Sequence, residues 1–552
     1  MSKNDAFRKL TLAKRLSFSV LSRHKISILL ILILGGVLRF YHLDGYGLWS
    51  DEFVTLMIVS KRSLTDLVRT CFQVPQPMPP FYFLLDKLLV DILGPSEISL
   101  RLLSAISSTI TIYLVFALGK VLFDYEIATF AALLCAVNST QIVYAQNARP
   151  YAVCLLLSGA SMLSFLKWTR TDARLCKISY VLSTSLLLYS HYVFFPVLII
   201  ENLYLLWLWR SGKARRPSPR PVSWKSWFVL QLSVGLILAP LFPQILRIFR
   251  DRQALDWASV IAQYDPHYEN FFFFLNPSHL FFSLGLTLMI VGLWLYLKGL
   301  LGKAGTDIAA RETLRSLAPT RSLVFVILWY LVPLSLFFCL ARMKVIHLFV
   351  ERYLILASLA TYLLLSAISL SSFRKKVGRT FLVVYMIYYV ASEPGTYFWQ
   401  KGLFSQGVPG GNEWRETLIE LENPAFHASV FLFQSPFIES NQLNFASDAQ
   451  LSEYLSSPLR SFYVKDLNRA FVLLPVHWWI KTEPHRKFKT EIKDLLLSSR
   501  GFVLLSTQEF WDNFKPWLEE ELPPSYEVHQ RENFNSSGAL RLKKIELSPM
   551  IN

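Results

Sequence analysis

The sequence predicts a mainly α-helical, polytopic membrane protein with one small α/β domain at its C-terminal end. Three observations carry that expectation. Of 552 residues, 53% are hydrophobic and 17% charged, with a mean hydropathy of +0.37, whereas a soluble domain carries about 25% charged residues. Apolar runs close to the ~20 residues that cross a bilayer recur as far as about residue 397. Lys and Arg collect in alternate short loops between those runs, where they set topology. The net charge of +17 therefore reads as loop charge on a membrane protein and not as a nucleic-acid surface. The 15% aromatic content suits two interfacial belts.

Residues 1–25 hold Lys3, Arg8, Lys9, Lys14, Arg15, Arg23 and Lys25 against a single acid, Asp5. The run that follows, Ile26 to Val37, lacks a small-residue cleavage site before Arg39. It reads as an uncleaved first span with a cytoplasmic N-terminus, which places Asp44 and everything up to the next span on the outer face. From Ser50 to about Gly94 the spacing of Phe53, Leu56, Met57, Leu64, Leu67 and Val68 predicts helices lying at the outer interface. Pro75, Pro77, Pro79 and Pro80 interrupt them. Phe81 to Leu93 carries Asp86, Lys87 and Asp91 and is too short and too charged to span.

Further spans are expected at about 98–120, 127–145, 151–167, 178–193, 195–209, 227–246, 279–297, 322–341, 349–370 and 380–397. That makes about 11 spans in a membrane module over 26–398, with the C-terminus outside. One loop opposes the pattern: Arg247, Arg250 and Arg252 fall on the outer side, in a long loop that also holds Asp251, Asp256, Asp265, His267 and Glu269. From 399 to 552 the apolar runs shorten to SVFLF near 429–433, AFVLLPV near 470–476 and GFVLLS near 501–506. These read as buried strands of an exoplasmic, periplasmic in a bacterium, α/β domain. It is expected to be a folding or docking appendage without chemistry of its own. The five cysteines, Cys71, Cys135, Cys154, Cys176 and Cys339, show no paired spacing.

Chemistry is sought at the outer ends of the spans. Asp51 and Glu52 follow Trp49 and Ser50. Neighbours on a helix point about 100° apart, so the two carboxylates cannot face one atom. Either one reaches a substrate while the other orients a loop or a cation, or Ser50 caps a helix whose first turn they favour by charge. A second stretch, Tyr144 to Tyr151, carries Asn147 and Arg149 between two tyrosines, a reasonable anion contact or an ordinary polar turn. A third is His191-Tyr192, which serves binding or simply satisfies the interface. A fourth is Arg342, Lys344, His347, Glu351, Arg352 and Tyr353. Outer-side cations oppose the inside rule, and a lipid phosphate or a nearby acid would stabilise them.

Read together, Trp49-Ser50-Asp51-Glu52, Pro79-Pro80-Phe81-Tyr82, Ser96-Glu97 with Arg101-Leu102, Tyr144 to Tyr151, His191-Tyr192 and Glu351-Arg352-Tyr353-Leu354 resemble bacterial membrane glycosyltransferases of the C superfold. These are relatives of dolichyl-phosphate-mannose protein mannosyltransferases and of the lipid A aminoarabinose transferase. The resemblance covers roughly residues 35–360. It implies an inner (plasma) membrane enzyme that moves a sugar, hexosyl or pentosyl, from a polyprenyl-phosphate carrier to a lipid, glycan or protein acceptor on the outer face. In that role Asp51 is the catalytic base, with Glu52 beside it. Tyr144, Asn147, Arg149, Tyr151, His191 and Tyr192 bind substrate. Arg342, Lys344, Arg352 and Tyr353 hold the donor phosphate. The chain departs from the family at Asn147, where relatives often have Glu, and at Met78, where they often have His. The first departure weakens a metal bridged between two loops, although a divalent cation, Mg or Mn, stays open. The competing readings are a transporter or flippase of lipid-linked sugars, which would need charges lining a path through mid-span, and a non-catalytic relative.

Overall fold

The computed structural model describes residues 25–74, 77–210, 222–251, 320–372 and 375–391, and in the C-terminal part chiefly 414–419, 430–437, 470–475, 483–499, 501–521, 526–535 and 540–549. The expected span at 279–297, the acids from Asp256 to Glu269 and the basic stretch before Lys25 lie outside the described residues.

Helix α1 covers 25–40. Three short helices follow: α2 (Ser50–Val59), α3 (Leu64–Gln73) and α4 (Phe81–Leu93). Then come α5 (Glu97–Leu122), α6 (Tyr125–Val137), α7 (Ser139–Ala145), α8 (Tyr151–Thr171), α9 (Arg174–Ser190), α10 (Pro196–Arg210), α11 (Trp224–Leu238) and α12 (Phe242–Asp251). After the undescribed segment come α13 (Thr320–Arg342), α14 (Glu351–Leu354), α15 (Ser358–Ser372) and α16 (Lys375–Ala391). Among the described residues, six segments are long and apolar enough to cross a membrane: Glu97–Leu122, Tyr151–Thr171, Tyr192–Arg210, Trp224–Arg250, Arg321–Arg342 and Arg352–Leu370. The pair α6 and α7 makes a seventh if counted as one broken span. That is fewer than the eleven expected. Helix α1 is shorter than these, α9 and α16 have 17 residues each, and 279–297 is outside the described residues.

The expected straight span at 127–145 is instead bent by 59°. Asn138 ends α6 and caps α7, accepting from the Gln141 N–H at 3.1 Å. The carbonyls that α6 loses at this break are taken by Arg39, a fully buried side chain reaching from α1. Its guanidinium donates to Ala136 O at 2.8 Å, Cys135 O at 2.9 Å and Ser108 Oγ at 2.8 Å. A helix end in an apolar setting needs such a donor, because no water is there to supply one. Helix α5 lies close against α6 at Gly119, where a Cβ would come within 2.6 Å of Ala128 Cα. Small residues permit that approach between membrane helices.

Helices α2, α3 and α4 are short helices, as the spacing predicts. Glu52 through Val59 are all buried, so α2 is covered on every side. One cover is the C-terminal domain. Its five-stranded sheet has the order β2-β1-β3-β5-β4, built from β1 (Val430–Gln434), β2 (Ala470–Leu474), β3 (Gly501–Thr507), β4 (Tyr526–Asn535) and β5 (Leu540–Pro549). The first three are parallel, and β5 and β4 are antiparallel to their neighbours. Alternate residues face opposite ways. Phe431, Phe433, Val503, Leu505 and Leu542 share one core with Leu48, Phe53 and Val54 of the membrane module. Val430, Leu432, Phe502, Leu504 and Ile545 pack on the other side with Trp478, Phe510 and Phe514. Polar ties at the seam join Lys61 to Glu453 at 2.8 Å and Arg415 to the Asp44 carbonyl at 2.9 Å.

Candidate active site

Helix α2 begins at Ser50, with Trp49 and not Ser50 at the cap position. The carboxylate of Glu52 does the capping: Oε2 accepts from the Trp49 N–H at 3.3 Å. It does much more. Oε1 accepts from Arg101 Nε at 2.8 Å and from the Ala148 N–H at 2.7 Å, and Oε2 accepts from Arg101 Nη2 at 2.6 Å. Both side chains of this pair are fully buried. Arg101, standing on α5, spends its other donors on the carbonyls of Leu43 (2.7 Å), Tyr46 (3.0 Å) and Gly47 (3.1 Å). The Tyr46 ring lies 3.8 Å over its guanidinium, and the Tyr46 hydroxyl donates to Gln146 O. Of the two roles open to the carboxylate pair, Glu52 takes the second. It fastens the loop after α1 to the loop before α8 and has no lone pair left for a substrate, so it is not placed to be a catalytic group.

Asp51, one residue earlier, is 27% exposed. Its Oδ2 lies 3.1 Å from Arg352 Nη1 and 3.8 Å from Arg149 Nε. Arg149 also donates to the Asp51 carbonyl at 3.3 Å. Burial works against the Arg149 charge, but Asp51 and Tyr151 outweigh it and its pKa is raised, so the guanidinium stays charged. The Ala148 N–H held by Glu52 sets where the neighbouring Arg149 stands. Glu52 thus positions both sides of the contact between Asp51 and Arg149.

An aromatic wall flanks these charges. The rings of Tyr144 and Tyr151 are 5.2 Å apart, those of Tyr151 and His191 5.9 Å, those of His191 and Tyr353 5.6 Å, and those of Tyr151 and Tyr353 6.5 Å. The Arg352 guanidinium sits 5.6 Å from the Tyr353 ring centre. Sequence stretches some fifty to three hundred residues apart therefore meet around one exposed carboxylate.

Other expected residues stand elsewhere. Tyr192 does not join the wall. Its hydroxyl donates to Gln244 of α12, whose amide donates to the carbonyls of Cys71 at 3.3 Å and Met78 at 3.4 Å. It braces the Pro-rich loop, aided by Arg247 on Phe72 O at 2.7 Å. Met78 rests on the site itself, its sulfur 3.8 Å from Arg149 Nη1. Asn147 is buried and accepts from Trp49 Nε1 at 3.4 Å. Arg342 and Lys344 are exposed and make no ion pair among the described residues, so of the four residues expected at the donor phosphate the structure brings Arg352 to Asp51 and Tyr353 to the aromatic wall beside it. The side chain of Glu351 lies outside the described residues.

Sequence reasoning gave no role to Arg39 or Arg101, although an arginine beside or within an apolar run must find partners. It counted Asp86 of α4 only as a charge that argues against a span, whereas the side chain is fully buried with neither oxygen hydrogen-bonded among the described residues. Burial, with Glu52 nearby, pushes its pKa well above the ordinary carboxylate range.

The described residues around Asp51 do not fit a divalent cation. No group of three His, Cys, Asp or Glu side chains gathers there among the described residues. Asn147 is turned to Trp49, and two guanidinium groups take the space a cation would need, with charge of the same sign.

Residues 77–223 match the family model described as dolichyl-phosphate-mannose-protein mannosyltransferase. No curated protein sequence matches the chain. Among solved structures the chain is similar to ArnT from Cupriavidus metallidurans bound to undecaprenyl phosphate, at 13% identity and a TM-score of 0.48, covering 94% of this chain and 97% of that one. It is similar to the Archaeoglobus fulgidus oligosaccharyltransferase in complex with Zn and sulfate, at 12% identity and a TM-score of 0.46, covering 93% of this chain and 72% of that one. It is also similar to the arabinofuranosyltransferase AftD from Mycobacteria, at 12% identity and a TM-score of 0.47, covering 95% of this chain and 41% of that one.

Proposed function

We propose that the protein is a membrane glycosyltransferase. It moves a sugar from a polyprenyl-phosphate carrier to a hydroxyl of a lipid, glycan or protein acceptor on the exoplasmic side. The observation that carries this reading is Asp51, a partly exposed carboxylate held 3.1 Å from Arg352 and 3.8 Å from Arg149. The family-model match over 77–223, which contains Arg149 and His191, supports it.

The chemistry has two demands, and the residues divide them. The acceptor hydroxyl must lose a proton as its oxygen attacks the anomeric carbon. Asp51 takes that proton late, as the bond from the anomeric carbon to the phosphate oxygen lengthens in an oxocarbenium-like transition state. The leaving polyprenyl phosphate gains negative charge as that bond breaks. Arg149 and Arg352 stabilise it through charge-assisted hydrogen bonds in a water-poor cleft. One displacement gives an inverted glycoside and free polyprenyl phosphate. Glu52 and Arg101 hold the geometry and exchange no proton.

Two guanidinium groups supply the positive charge a metal would otherwise bring. Chelation with EDTA is therefore expected to leave the transfer rate unchanged, and loss of activity restored by Mg or Mn would contradict that part of the reading. The function itself is tested by comparative lipid and glycan mass spectrometry of cells lacking the protein. One glycosyl unit disappears from one acceptor and returns with the wild-type chain. If no glycan changes, the enzyme reading fails.

A further inference from the structure

We propose that the Nε2–H of His191 donates a hydrogen bond to a hydroxyl of a saccharide ring seated against the partly exposed Tyr353, with the buried Tyr151 behind them, making the His191–Tyr353 pair a sugar subsite beside Asp51. This rests on the glycosyl-transfer reading and goes further, because it separates the group that reads the sugar from the groups that hold the phosphate.

The orientation of the imidazole is fixed twice. His191 ends α9 with an extended backbone (φ −162°, ψ 124°), and its Nδ1 accepts from the Val193 N–H at 3.3 Å. A ring nitrogen that accepts carries no proton, so in the neutral ring the hydrogen sits on Nε2. The ring plane is fixed by packing. Tyr151 lies at 5.9 Å with a 30° interplanar angle, Tyr353 at 5.6 Å and 67°, and Phe194 at 6.2 Å and 63°. Nε2 has no hydrogen-bond partner among the described residues, and the side chain is only partly buried.

With the Arg149 and Arg352 guanidinium groups close by, a second positive charge on the ring is disfavoured and the neutral form is the one expected. His191 is therefore no proton shuttle at working pH but a permanent donor. A rigid N–H beside the partly exposed Tyr353 ring matches a saccharide, whose C–H face packs on an aromatic ring while its hydroxyls need directed partners. A phosphate would be served better by the charged forks of Arg149 and Arg352.

Two substitutions separate the halves of the imidazole. His191→Asn keeps an acceptor where Nδ1 caps Val193 and removes the distal donor. His191→Gln restores an N–H donor near the position of Nε2. The probes are bare undecaprenyl phosphate and undecaprenyl phosphate linked to mannose, glucose or arabinose, with binding measured on the full chain in detergent. Wild type is expected to bind at least one sugar-linked lipid more tightly than the bare lipid. His191→Asn loses about three- to tenfold of that preference, the range of one net hydrogen bond. Its affinity for the bare lipid and its thermal unfolding stay at wild-type values, and His191→Gln recovers the preference. If the hydroxyl belongs to the acceptor's sugar, donor affinity is unchanged and the acceptor KM rises by the same factor in His191→Asn alone, which also supports the subsite.

The proposal is overturned if His191→Asn matches wild type in both measurements. It is overturned equally if His191→Gln fails as badly as His191→Asn, or if transfer shows an inflection between pH 5 and 8 that either variant abolishes. Binding of neither bare nor sugar-linked lipid to wild type would instead remove the transfer reading beneath it.

Discussion

Glu52 accepts hydrogen bonds from Arg101, Ala148 and Trp49, and Arg101 would be stranded without it. Removing one partner of a buried ion pair costs about 3–5 kcal/mol. Glu52→Ala is expected to lower the thermal unfolding midpoint sharply and to take activity with it, whereas Asp51→Asn leaves the midpoint near wild type. Equal midpoints for Glu52→Ala and wild type would show that the clamp does not hold the loops. At this scale the sequence showed the two carboxylates and the angle between them, and from that angle two different roles. It could not assign the roles, because the deciding partner, Arg101, lies 49 residues further on and on another helix. Asn147 misled for a related reason. Its place beside Arg149 in the chain suggested the cleft, but its side chain is turned to Trp49 and buried.

Helix α4 was legible as a short, charged, non-spanning element, but the fate of its charges was not. Lys87 finds Asp91 one turn on, at 2.9 Å, while Asp86 is buried without a hydrogen-bond partner among the described residues. Its raised pKa has a definite sign in stability. Between the unfolded value of about 4 and the higher folded value, the native state binds the extra proton. Stability therefore falls as pH rises through that window. Asp86→Asn cannot ionise and is expected to escape the loss. Its unfolding midpoint should match wild type near pH 4 and exceed it by a margin that grows towards pH 8. A margin independent of pH would mean that Asp86 is not a neutral buried acid. The bend between α6 and α7 marks the limit of pattern reading at the element scale. The apolar run is continuous there, and what breaks it is Asn138, which caps α7, with Arg39 of α1 taking the carbonyls of Ala136 and Cys135 freed at the end of α6.

For the whole molecule, composition and loop charge were enough to predict a membrane bundle with a small sheet domain, because bilayer thickness and strand burial leave plain marks on a sequence. The relation between the two parts left no such mark. The apolar face of β1 and β3 shares a core with Phe53 and Val54 of α2, so the C-terminal domain covers the helix that bears Asp51. Deleting residues 400–552 is expected to expose that face, lower the yield of folded protein in detergent and abolish transfer. A truncated chain with full activity would return the domain to the status of an appendage.

The central claim is that Asp51 takes the acceptor proton while Arg149 and Arg352 hold the phosphate. Its most direct test is transfer by the purified chain from a polyprenyl-phosphate-linked sugar, comparing wild type with Asp51→Asn. The account predicts a loss of about 10²–10⁴-fold in kcat, the usual range for a general base, with binding of undecaprenyl phosphate and the unfolding midpoint retained. Transfer by Asp51→Asn at the wild-type rate would contradict it.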